Sequence, residues 1–314
     1  NLARSTLVFC GLAALLLSVC ARRLSAEDPL AAIQRTAAET NQAAWGHWGP
    51  DPNKYSSWTT HSNRLVPVYT FGINLDRVRG EHSVYRSAEA LRELYGRVPQ
   101  ATLNPNAEYF DQTDVFRLQS WAAEAGKKRI VLFVFDGMDW QTSWAAAIAK
   151  TGSVSYEQGR GTGLAFQDYA GAETDFGYFV CSPHNDGTNV NVNGQEVANP
   201  GGKTPGGYDP ELGGTTPWAA GNANYLIAEA VQGAGGEAVQ HAYTDSSSSA
   251  SSMTCGIKTY NNGVNVDFRG RAVRPLGQTL QEQGFAIGVV TSVPISHATP
   301  ACAYANNVHR NDYQ

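Results

Sequence analysis

Apolar residues run without a break from Ile130 to Phe135, and the run stops at Asp136-Gly137-Met138-Asp139. A β-branched and aromatic stretch closed by turn residues predicts a central parallel strand over 129–135, buried on both faces. The pattern then changes to a helical one over 142–150, closed by Gly152. The pair is a strand–loop–helix unit of the α/β kind. A second unit places a strand over 237–244, Asp245-Ser246 at its end, and a small-residue helix over 247–255 stopped by Gly256. A third places a short helix over 278–283, stopped by Gly284, before a strand over 285–291. A loop then leads to Ser296-His297-Ala298-Thr299-Pro300, where Pro300 suits a first helical turn and Thr299 its N-cap. Sites in open α/β sheets lie outside the carboxyl ends of the strands. Asp136, Asp245-Ser246 and the surroundings of His297 are therefore expected on one rim.

Elsewhere the pattern predicts helices over 31–40, over 87–95 with Ser87 as N-cap, over 114–124, and over 223–232 stopped by Gly233. Residues 41–70 are rich in Trp, Gly, Pro and Asn and read as loop with aromatic anchors. Trp45 to Trp58 suits a structural clamp better than a binding surface. Residues 153–221 are Gly-rich and polar without strong periodicity, and 189–214 is almost all turn signals. That region reads as a loop-rich surface insertion. The expected division is an export signal over 1–26, an N-terminal extension over 27–128 and an α/β catalytic region over 129–314.

The signal reading rests on Arg4, an apolar stretch over 7–20 too short for a comfortable membrane span, and Leu24-Ser25-Ala26 as the cleavage end. Lipid attachment at Cys20 is the minor alternative. The destination is periplasmic or extracellular, with no stable membrane span. Of five cysteines, Cys181, Cys255 and Cys302 lie outside the signal, so at most one disulfide can form among them. Across 314 residues, apolar side chains make up 42% and charged ones 16%, a globular composition. The net charge of −5, with no long basic run, excludes polyanion binding through a basic face.

Ser246 sits where a strand gives way to a helix, whose free N–H groups favour an anion. By composition alone a Ser-rich linker or an ordinary N-cap cluster is the better reading. No Gly-x-Ser-x-Gly elbow is present, so a Ser/His/Asp hydrolase is not indicated. Tyr243-Thr244-Asp245-Ser246 through Thr254-Cys255-Gly256-Ile257-Lys258-Thr259-Tyr260-Asn261 resembles the nucleophile segment of alkaline phosphatases. That pattern is T-D-S, small residues, then T-G-V-K-T-Y-N; Cys255 and Ile257 are the departures. Residues 131–138 resemble the family's apolar strand ending in D-G-M, with Asp139 in place of the usual Gly. His297-Ala298-Thr299-Pro300-Ala301, then Val308-His309-Arg310, resemble its [DH]-A-T-P-A motif and following arginine.

The resemblance implies a three-layer α/β/α fold around a mostly parallel sheet, incomplete at the C-terminus. It implies hydrolysis of small phosphate monoesters through a phosphoserine, with two Zn2+ and one Mg2+. Ser246 would be the nucleophile and a zinc ligand, and Asp136 would bridge zinc and magnesium. His297 and Thr299 would line the magnesium site, Arg310 would grip phosphate and Asp245 would orient Arg310. The remaining ligands are expected beyond Gln314, so this stretch alone is expected to lack significant phosphatase activity. A homodimer is left open. The alternatives are a phosphodiesterase or another hydrolase of the same superfamily, and a surface protein that holds phosphate or metal without turnover.

Overall fold

The computed structural model describes residues 65–95, 98, 102–180, 190–191, 196–197, 215–218, 244–259, 262–267, 271–307 and 310. The expected signal, the helices over 31–40 and 223–232, the Trp-rich segment 45–58 and the strand over 237–243 lie outside the described residues.

The main sheet has three strands in the order β1-β3-β2. Strand β1 is Leu65–Phe71, β2 is Phe110–Asp111 and β3 is Thr174–Val180. β1 pairs antiparallel with β3, from Leu65 opposite Val180 to Phe71 opposite Thr174. β2 runs parallel to β3 on its other side. The described sheet is therefore mixed, not mostly parallel as expected. Two further short strands, β4 (Val190–Asn191) and β5 (Glu196–Val197), form a separate antiparallel pair.

Alternation along β3 sends Phe179 and Val180 to opposite faces. Val180 joins Leu65, Tyr85, Leu91 and Tyr95 in one core, and Phe179 joins Leu75, Phe110, Val115, Leu118 and Met253 in another. The helices form where caps and stops specify them. Helix α1, Ala88–Tyr95, begins with Ser87 Oγ accepting the Ala90 N–H. Helix α2, Gln112–Glu124, carries a reciprocal capping box between Asp111 and Asp114. Helix α3, Trp140–Thr151, ends on Gly152 at φ 74°. Helices α4 (Ser246–Cys255), α5 (Leu276–Glu282) and α6 (Ala298–Ala301) follow. α2 packs along α4, which joins the two parts of the chain on either side of 129.

Three expectations are corrected. No strand forms over 129–135 or 285–291, and the runs are not buried: Val131 is 69% exposed, Phe133 76% and Val290 fully so. Burial on two faces needs neighbouring strands and covering helices, and no described residues supply them to these runs. The loop reading of 41–70 fails over 65–70, which belong to β1, an edge strand whose Pro67 costs no central ladder bond. The 153–221 region also contains β3, the middle strand of the sheet.

Gln112, the first residue of α2, is fully buried, and among the described residues neither atom of its amide has a hydrogen-bond partner. An unmet buried amide costs about 1–3 kcal/mol. Gln112→Met is accordingly expected to raise the urea midpoint, by about 1–2 kcal/mol of stability, with an unchanged slope. A lower midpoint would mean that the amide is bonded in solution.

Candidate functional site

The site is organised around the first turn of α4. Asp245 occupies its N-cap, with Oδ1 accepting the Ser248 N–H at 2.9 Å. Gly256 closes the other end at φ 67°, where an added Cβ would lie 2.6 Å from the Phe116 ring of α2. Small side chains allow this close packing. Ser247, Ser248, Ser251 and Ser252 are completely buried. Ser252 Oγ donates to the Ser248 carbonyl at 3.0 Å, whereas Ser251 Oγ accepts the Asn265 N–H at 2.7 Å. Ser246 differs from these four: it is half-buried and lines a cavity of about 670 Å3.

Asp245 also accepts from the Ser247 hydroxyl at 2.7 Å, the Ser248 hydroxyl at 2.8 Å and the Asn262 N–H at 3.1 Å. Arg310 Nη1 donates to its Oδ2 at 3.1 Å. Burial would raise the Asp245 carboxyl, but the Ser248 N–H, the two hydroxyls and Arg310 outweigh it and hold it below its ordinary value. Asp245 is thus an anion hydrogen-bonded to a guanidinium at the N-terminus of α4. The other Arg310 nitrogen, Nη2, lies 3.4 Å from His297 Nε2.

Across the cavity, Thr299 Oγ1 donates to Asp136 Oδ2 at 3.0 Å. Thr299 was expected to cap α6, but it lies within that helix, and His297 holds the N-cap position without a side-chain cap bond. Helical placement turns the Thr299 hydroxyl toward Asp136. Asp136, Asp245, Ser246, Thr299 and Arg310 all line the one cavity. His297 does not line it, and its ring is exposed beside Arg310. Among the described residues no group of three or more His, Cys, Asp or Glu side chains is placed to hold a metal.

Sequence reasoning did not foresee the far end of α4. Lys258, just past the helix, reaches Asp111 Oδ2 at 2.5 Å, and both side chains are completely buried. Ser247 and Ser248 were likewise read only as small residues, although a cap Asp followed by hydroxyls was a signal for them.

Residues 231–314 match the family model described as alkaline phosphatase. The chain is 38% identical over 69 residues to alkaline phosphatase 4 of Bacillus subtilis, covering 22% of this chain and 15% of the relative. It is 45% identical over 58 residues to alkaline phosphatase 3 of the same organism, covering 18% and 13%. It is 36% identical over 70 residues to alkaline phosphatase H of Pseudomonas aeruginosa, covering 22% and 15%. A solved structure of a TAB5 alkaline phosphatase mutant with Mg bound is 38% identical, covers 22% of this chain and 20% of that one, and gives a TM-score of 0.22. The chain thus spans about 15% of the length of the curated relatives it matches. Over residues 231–314, it is similar to the alkaline phosphatase family.

Proposed function

We propose that the protein hydrolyses phosphate monoesters to an alcohol and inorganic phosphate through a phosphoserine at Ser246. One observation carries the reading: the Asp245–Arg310 pair, joined across the chain at 3.1 Å, holds a guanidinium beside Ser246 at the start of α4. Free N–H groups and the positive end of the helix dipole favour a phosphate dianion there. A guanidinium adds two parallel donors that match phosphate oxygens.

Each group then has a role. Arg310 binds two non-bridging oxygens, and Asp245 keeps it aimed. Ser246 Oγ loses its proton to solvent and forms a bond to phosphorus as the ester P–O bond breaks. The leaving alkoxide takes a proton from solvent. Water then attacks phosphorus, releasing inorganic phosphate and restoring the Ser246 hydroxyl.

Zinc and magnesium belong to the same proposal, with Asp136, Ser246, Thr299 and His297 as contributors. These four supply one carboxylate, two hydroxyls and one imidazole. A zinc site needs about four ligands and a magnesium site about six. The Thr299 hydroxyl already donates to Asp136, and His297 faces Arg310. The described residues therefore do not complete either site, and no step above runs through a metal.

Acid quenching of the full protein during turnover of a 32P-labelled monoester is expected to leave label on the peptide that contains Ser246. Turnover with no label at that serine would overturn the phosphoserine route. Phosphate binding without turnover would favour the binding-protein reading.

A further inference from the structure

Arg310 lies in a turn beyond α6, so contacts outside α4 must help to set where its guanidinium points. Two asparagines mark the place. Among the described residues, Asn262 at φ 75° and Asn265 at φ 48° are the non-glycine positions with positive φ. Such backbone is uncommon outside glycine and clusters at functional sites. Both follow α4, on either side of Val264, which pairs antiparallel with Asn307 ahead of Arg310.

The two asparagines hold different things. Asn265 is completely buried and fastens the fold. Its side-chain amide donates to the carbonyls of Cys302 at 2.6 Å and Ala305 at 2.8 Å, and its Oδ1 accepts the Thr254 hydroxyl at 3.0 Å. Val264 exchanges two backbone bonds with Asn307, each 2.8 Å. These contacts tie the segment to α4 and to the chain beyond α6 without Asn262.

Asn262 bonds instead to the site. Its N–H donates to Asp245 Oδ2 at 3.1 Å, the oxygen that also accepts Arg310 Nη1 at 3.1 Å. Its carbonyl accepts the Arg310 N–H at 2.8 Å. The three residues form a closed ring of hydrogen bonds that takes hold of Arg310 at both ends, main chain and guanidinium. Turning φ at Asn262 to the ordinary negative range would rotate its N–H against its carbonyl, and the two bonds could not both be kept.

Resting on the phosphomonoester reading, we propose that Asn262 is a positioning residue, whose left-handed backbone sets the Arg310 guanidinium where phosphate binds. The gain is preorganisation. A long side chain tied at both ends has little rotamer freedom left to lose when phosphate arrives.

The test is binding of inorganic phosphate to the full protein, measured by calorimetry, in a double-mutant cycle with Arg310→Ala. Asn262→Pro removes the N–H and locks φ at a negative value. It is expected to weaken phosphate about fivefold to thirtyfold. Asn262→Val, β-branched and ill-suited to positive φ, is expected to weaken it about threefold to tenfold and carries the cycle if the proline variant does not fold. Asn262→Gly takes positive φ freely and should stay within about threefold of the parent. On the Arg310→Ala background each replacement should change affinity less than about twofold, because its effect runs through the guanidinium.

Equal losses with and without the Arg310 side chain would overturn the proposal and make Asn262 an ordinary turn residue. Unchanged affinity in the valine and proline variants would also overturn it. So would a glycine variant as weak as the valine one, which would give the role to the side-chain amide. Coupled loss of phosphate binding in a protein that hydrolyses no ester would keep the positioning role and remove the phosphatase reading. A phosphoserine at Ser246 with no coupling between Asn262 and Arg310 would do the reverse. A parent protein that binds no phosphate would overturn both.

Discussion

Replacing Lys258 with methionine is expected to destabilise the protein by about 3–5 kcal/mol at neutral pH, a large share of a typical domain's stability. The loss arises from what the substitution leaves behind. Asp111 is completely buried, and Lys258 sits 2.5 Å from its Oδ2. The same carboxylate accepts the Tyr85 hydroxyl at 2.7 Å, the Thr113 N–H at 2.8 Å and the Thr113 hydroxyl at 2.6 Å. It is therefore both the cap of α2 and the counter-ion of the residue that follows α4. Methionine fills similar volume but leaves a buried anion without its cation.

The pH dependence separates this mechanism from lost packing. In the parent protein, burial would raise the Asp111 carboxyl, but the Lys258 charge together with the hydrogen bonds from Lys258, Thr113 and Tyr85 outweighs it and holds it below its ordinary value of 3.8. That contribution is fully present above the unfolded value and disappears as pH falls through the lower folded one. In the variant the Thr113 and Tyr85 bonds remain but the Lys258 charge and its bond are gone, so burial is expected to win and the folded carboxyl to titrate above the unfolded value. Its penalty is then absent below the unfolded value and grows as pH rises. The two stability curves should converge as pH falls toward 4 and below. Asp114 is pushed up to about 7 by burial and the neighbouring Asp111 charge, so its titration follows that of Asp111 and the difference between the two proteins reports the pair. Urea midpoints from pH 4 to pH 8 measure this. A loss that stays constant over that range would assign it to the packing of the lysine stem.

The helices were more legible than the sheet, for a physical reason. Ser87, Asp111, Gly152 and Gly256 act on their own neighbours, so α1 to α4 can be read from local chemistry. β1 and β3 pair across most of the described chain. Pro67 and Gly177 weaken their local signals, and only the partner strand makes them a sheet. The apolar run at 129–135 erred in the opposite direction, since its local signal was strong but burial depends on neighbours. The site lies between these cases. Asp136, Ser246, Thr299 and Arg310 are named by short motifs, and the fold brings all four to one cavity, while their roles stay proposals. The Lys258–Asp111 pair was not readable, because nothing in either local sequence names the other residue. His297 shows the limit of motif reading, since its ring lies beside Arg310 and outside the cavity lining.

Ser246→Ala is expected to remove the labelled phosphoenzyme and lower kcat by about 10^4 to 10^6, the range seen when a covalent nucleophile is deleted. It should do so with little change in stability, within about 0.5 kcal/mol. Asp245 caps α4 through Ser248 and is braced by Ser247, Asn262 and Arg310, and none of these bonds uses the Ser246 hydroxyl. Alanine is also a better helix former than serine. Phosphate should still bind as a competitive inhibitor, because Arg310 and the α4 N–H groups remain in place. A variant that loses both turnover and its unfolding midpoint would show that Ser246 serves the fold. Unchanged turnover would show that another group attacks phosphorus, and Ser249, one turn further along the same cavity-lining face of α4, would then be the first residue to replace. The contrast with Lys258 locates the two functions of this helix. Ser246, in its first turn, is expected to govern chemistry with little bearing on folding. Lys258, beyond its last turn, is expected to govern folding through a carboxylate that does not line the cavity.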